Sequence, residues 1–116
     1  MINLANKQFT MFFAPDTDSH EKLRIFMVDQ KTGHFQAAME PGARNVYGVF
    51  SSSGRLEFNL TTHGTNVFQH FIGALKEDGS SLLWMAGTFI KFTLQTIGQQ
   101  SGEPFVFPFY AVEESH

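Results

Sequence analysis

Among the side chains of this chain that titrate near neutral pH, His70 is the one set inside an apolar run, Val67-Phe68-Gln69-His70-Phe71-Ile72. Facing inward near Trp84, it would orient a polar group of a ligand or act as a base. Facing outward, it is an ordinary surface residue of a strand. His63 and His70 are seven positions apart and lack the spacing of a zinc pair. His20 stands among Asp16, Asp18 and Glu21, but this stretch has neither the glycine nor the distant bidentate glutamate of a calcium loop, so it reads as a solvated acidic loop. His116 is terminal.

Nucleophiles are no better supported. Ser51, Ser52 and Ser53 precede Gly54 in a turn, and there is no Gly-x-Ser-x-Gly elbow and no Gly-x-Gly-x-x-Gly loop. The chain has no cysteine, which excludes disulfides, zinc thiolates and a Cys nucleophile. Among the carboxylates, Glu57 falls on the polar face of its segment, Glu40 precedes Pro41, and Glu113 and Glu114 lie at the tail. No acid/base pair stands out. No catalytic residue, metal or cofactor is assigned on these grounds.

Any site must be positioned by elements that short, regularly spaced turns divide: Pro15 to Asp18, Gln30 to Gly33, Glu40-Pro41-Gly42, Ser51 to Gly54, Thr62 to Thr65, Glu77 to Ser80, and Gln99 to Pro104. β-Branched and aromatic residues fill the intervals, the pattern of an all-β sandwich or barrel. Arg55 to Thr62 alternates most cleanly, with Leu56, Phe58 and Leu60 on one face. Lys7 to Phe13 places Phe9, Met11 and Phe13 together. Leu23 to Val28 and His34 to Met39 form a hairpin through Lys31-Thr32-Gly33. The segment 66–77 reads as a strand, apolar on both faces. A short helix capped by Thr65 and closed by Gly79 is the alternative, which Gly73 weakens by ~1 kcal/mol relative to alanine. Leu82 to Leu94 puts Trp84, Ala86, Ile90 and Phe92 on one face and Leu83, Met85 and Phe89 on the other. In the last strand Pro108 donates no ladder hydrogen bond, so an edge or a bulge is expected there.

The expected fold is therefore all-β: an antiparallel up-and-down barrel of about eight strands, as one domain over 1–116. Eight strands enclose room for side chains or one small ligand. The order Lys7-Gln8-Phe9, Asp29 to Gly33, Tyr47-Gly48-Val49-Phe50, Arg55-Leu56-Glu57-Phe58 and Phe71 to Leu75 with Asp78-Gly79 resembles the meander of the calycins, the superfamily of lipocalins, fatty-acid-binding proteins and avidins. Phe9 stands where lipocalins usually show Gly-x-Trp. The resemblance implies a barrel fold and carries over no ligand residue.

Composition narrows the partners. Net charge is -3, and the eight Lys and Arg are scattered singly, which argues against nucleic acid and against a charged membrane surface. No apolar stretch approaches the ~18 residues of a membrane span, and no signal peptide is evident, so a cytoplasmic location is expected. Charged residues are 16% of the chain, against a typical ~25%, and 14 residues are Phe. That surplus has three outlets: a dense core, an oligomer interface on the late strands, or a ligand cavity.

The sequence thus supports a barrel that binds a small apolar or aromatic ligand, probed by Tyr47, Phe58, His70, Trp84 and Phe107, with homo-oligomerisation expected. Two alternatives stand beside it. One is a filled barrel that docks another protein through its late strands. The other is a small isomerase- or cyclase-type enzyme using His70.

Overall fold

Alternation of apolar and polar residues over a seven-residue run needs a sheet with one dry face, and Arg55–Thr61 obtains it by pairing on both edges. In the computed structural model, which describes residues 2–13, 20–61, 67–93 and 105–114, eight strands follow in chain order. They are β1 (Gln8–Phe13), β2 (His20–Val28), β3 (His34–Glu40), β4 (Arg44–Phe50), β5 (Arg55–Thr61), β6 (Val67–Glu77), β7 (Leu83–Thr93) and β8 (Phe105–Glu113). Each is antiparallel to the next, and β1 pairs with β8, so the sheet closes into an up-and-down barrel. No helix occurs among the described residues. Expectations placed on 14–19, 62–66 and 94–104, including the acidic loop before His20 and a cap at Thr65, lie outside the described residues.

The 66–77 ambiguity resolves to strand from Val67 onward. β6 is registered along its whole length against β7, from Val67 opposite Thr93 to Glu77 opposite Leu83, and against β5 from Phe68 to Ala74. Its apolar residues serve two faces: Phe71 and Leu75 are buried inside, while Ile72 is exposed outside.

Two expectations need correction. In β7 the inward residues are Leu83, Met85 and Phe89, all buried, whereas Trp84 is exposed on the outer wall. Both faces of this segment are apolar, so alternation alone left its phase open. The pairs Leu75 with Met85 and Phe71 with Phe89 fix it. β8 is also not an edge strand. It pairs with β7 over Phe105 to Val112 and with β1 over Phe109 to Glu113. Pro108 faces Thr88 of β7, and among the described residues it has no β1 partner that would need the missing donor.

The core is the barrel interior. Phe9, Met11, Leu23, Ile25, Phe35, Met39, Val46, Leu56, Phe58, Leu60, Phe71 and Met85 are all essentially inaccessible, and among the described residues no polar or charged residue is buried. The chain before β1 seals one end: Leu4 is fully buried in the core, and Asn3 Oδ1 accepts a 2.9 Å hydrogen bond from Gln30 Nε2 in the β2–β3 turn.

Candidate ligand-binding site

Inside the barrel, aromatic rings occupy the axis. Phe71 lies between Phe58 (centroids 4.5 Å, planes 10° apart) and Phe89 (4.8 Å, 20°), and Phe109 meets it edge-on at 5.1 Å. Phe107 and Phe13 extend this stack against Phe89 at 5.4 and 5.5 Å, and both are half-buried. An eight-stranded barrel is wide enough for little more than its own side chains. Here those side chains are rings in mutual contact.

A concavity with polar groups lies on the outer wall. Register aligns Gln36, Tyr47, Asn59 and His70 across β3, β4, β5 and β6. The adjacent row carries His34, Val49, Glu57 and Ile72. A bulge in β2, where the register slips between Ile25 and Met27, leaves Phe26 and Met27 both exposed and extends the first row, since Met27 pairs with Gln36.

In the middle sits Gly48. A Cβ there would lie 2.4 Å from Phe35 Cζ and 2.6 Å from Phe58 Cβ, so the Phe35 ring occupies the space that a side chain would need. On the outer side of the sheet lies a depression of about 700 Å³ in which Met27, Val49 and the Gly48 backbone meet Tyr47, His34, Glu57 and His70, with Phe35 and Phe58 behind the sheet. This is within the usual range of ~300 to 1,000 Å³ for small-molecule sites.

One edge of the depression is a hydrogen-bonded trio. His70 Nε2 and Glu57 Oε1 are 2.8 Å apart, and His70 Nδ1 contacts the Asn59 side-chain amide. A neutral imidazole has one N–H. Donation from Nε2 to the Glu57 carboxylate leaves Nδ1 as an acceptor, and the Asn59 amide, whose Oδ1 is placed against Nδ1, satisfies it on turning over to present its NH2 group. The ring is then held from both sides, and its face and the Tyr47 ring border the apolar floor. What the trio offers is a fixed set of donors and acceptors. Among the described residues no group of three His, Cys, Asp or Glu side chains is placed to hold a metal ion.

The five residues singled out from sequence therefore separate. Tyr47, Phe58 and His70 come together at the wall depression, with Phe58 below and the other two on the outside. Of the two orientations open to His70 the outward one holds, and Tyr47 and Trp84 do not line an interior cavity: strand parity puts all three on the outer surface. His70 faces Asn59 across the ladder, one residue out of phase with buried Phe58 and Phe71. Phe107 belongs to the interior stack. Gly48, Met27, Gln36 and Asn59 were not singled out. Of these, Gly48 carried a signal, because glycine within a strand marks close approach of another group.

Trp84 has a different role. Its Nε1–H donates to Asp78 Oδ2 at 2.7 Å, while Asp78 Oδ1 accepts from Ser80 Oγ (2.6 Å), Ser80 N (2.7 Å) and Leu82 N (3.1 Å). Bonds from Ser80 first and Trp84 second hold the Asp78 carboxyl down at about 2. A lowered native pKa stabilises the turn above the ordinary carboxylate range, and this contribution is lost as pH falls from about 4 through 2. Trp84 is the sole tryptophan, so its emission should report that titration with a midpoint near 2 in the wild type and none in Asp78→Asn. A wild-type midpoint near 4 would contradict the clamp.

No family model and no curated protein matches this chain. Among solved structures, one that the chain is similar to in fold is the crystal structure of apo shwanavidin, with a TM-score of 0.70 over 98% of each chain and 9% sequence identity. At that identity the likeness concerns the fold: a closed antiparallel barrel of eight strands. No helix among the described residues is long and apolar enough to cross a membrane.

Proposed function

We propose that this protein binds a small, largely apolar molecule, seated in the wall depression over Gly48 rather than along the barrel axis. The observation that carries the proposal is the pairing of an apolar floor (Met27, Val49 and the Gly48 backbone) with a pre-organised polar rim (Tyr47, Asn59, His70) in one concavity of about 700 Å³. Such a floor desolvates the ligand body while a few fixed polar groups set its orientation. The avidin-type fold supports a binding role without identifying the ligand. The aromatic axis argues against an interior seat, since a ligand there would have to displace rings already stacked on one another.

Titration with the neutral fluorophore N-phenyl-1-naphthylamine tests the site. Tyr47→Ala and His70→Ala are expected to weaken binding by about 1–2 kcal/mol each, roughly 5- to 30-fold, and Phe107→Ala is expected to leave it unchanged. The reverse pattern, with Phe107→Ala abolishing binding and the wall variants neutral, would place the seat at the barrel end and overturn the wall assignment.

A further inference from the structure

Resting on the wall site proposed above, the charge around the depression indicates what its ligand carries. Its lining includes two carboxylates, Asp29 and Glu57, and among the described residues no Lys or Arg. Asp29 uses Oδ1 to accept from Lys31 N at 2.9 Å, a backbone bond that leaves its charge uncompensated. Glu57 is more telling. Its one ion-pair partner among the described residues is His70, and a neutral imidazole donating Nε2–H orients that carboxylate without cancelling its charge. The Glu57 side chain is 53% accessible, so an incoming group can reach it. Tyr47 is 53% exposed on the same wall and offers an aromatic face, to which a cation is attracted by the ring quadrupole.

We infer that the site takes an aromatic or apolar body bearing a cationic group, an amine or amidinium. The body lies on Met27, Val49 and the Gly48 backbone, and the cation lies between Glu57 and the Tyr47 face. A carboxylate-bearing ligand of the same shape would meet two like charges and no basic partner. Lys31 and Arg55 line the adjoining concavity that shares Glu57, not this one, and the polarity holds where the His34 and His70 imidazoles are both neutral.

The test uses three ligands that share a phenyl ring on a two-carbon tether: 2-phenylethylamine, 2-phenylethanol and 3-phenylpropanoate. Each is titrated into isotopically labelled protein near pH 7.5, following the backbone amides of Tyr47, Asn59 and His70. The amine is expected to bind about five- to tenfold more tightly than the alcohol, and the acid more weakly than either, as one partly exposed ion pair plus a cation–π contact provides. Raising the salt should erode the amine's advantage and leave the alcohol unaffected. In Glu57→Gln, whose exposed position leaves folding intact, the amine and the alcohol should converge.

Wall shifts of equal affinity for all three ligands, or tighter binding of the acid, would overturn the charge inference and leave the wall site standing. Shifts confined to residues elsewhere, or no shifts with any ligand, would overturn the site itself. Preserved amine selectivity in Glu57→Gln would remove Glu57 from the recognition.

Discussion

Phe71→Ala is expected to be the most destabilising single truncation in the barrel. Phe71 is wholly buried and contacts Phe58, Phe89, Phe109 and Phe13, with centroids between 4.5 and 6.1 Å. Alanine removes the transfer energy of the ring and leaves a cavity that β-strands paired on both edges cannot collapse to fill. The loss should be about 3–5 kcal/mol, much of the ~5–15 kcal/mol that a domain of this size has available. Chemical denaturation gives the value directly, and a melting point lower by roughly 15 °C would accompany it. Ile72→Ala supplies the comparison one residue along. Ile72 points outward at 48% exposure and should cost about 1 kcal/mol or less. Similar losses for the two variants would mean that the parity of β6 is wrong.

The same parity explains what the sequence made legible. In β1, β3 and β5 one face is polar, so Phe9, Met11, Leu56, Phe58 and Leu60 could be placed inside from alternation alone, and they are buried. The turn at Gln30 to Gly33 carried its own signal, and Asp29 just before it accepts from Lys31 N. In β7 and β8 both faces are apolar. Alternation then has two solutions, and only the ladder to β6 selects the one that buries Met85 and Phe89 and exposes Trp84. Barrel closure itself rests on the β1–β8 pairing, a contact between the ends of the chain that no local pattern encodes.

The wall site lies further from the sequence than the fold does. His70, Asn59 and Tyr47 sit on three strands, and their alignment depends on hairpin registers that shift wholesale if one turn gains or loses a residue. Glu57 was read correctly as a polar-face residue, but its bond to His70 spans thirteen positions. The bulge that turns Met27 toward this wall is likewise a two-strand property, since the extra residue has meaning only against its partner Gln36. Residue type found His70 and Tyr47, while pairing decided which way they point.

Gly87→Ala is expected to be nearly as costly, through crowding rather than a void. Gly73 and Gly87 face each other across β6 and β7. A Cβ on Gly87 would lie 2.1 Å from Ile72 O and 2.5 Å from Gly73 Cα; a Cβ on Gly73 would lie 2.2 Å from Ala86 O. These are backbone atoms and cannot move aside as a side chain does, so the two strands must separate where each is also bonded to its other neighbour. The loss should be about 3 kcal/mol, a melting point lower by roughly 10 °C. Gly79→Ala is the matched control: nothing lies within 4 Å of a Cβ there, and the smaller entropy of the unfolded chain should leave stability unchanged or raised by up to ~1 kcal/mol. Because Gly73→Ala and Gly87→Ala crowd one gap, the double variant should cost less than the sum of the two singles. The strand separation already made by the first methyl relieves part of the second. Simple additivity would mean that each methyl meets its own obstacle, and a Gly87→Ala loss below 1 kcal/mol would mean that the strands do not approach this closely in solution.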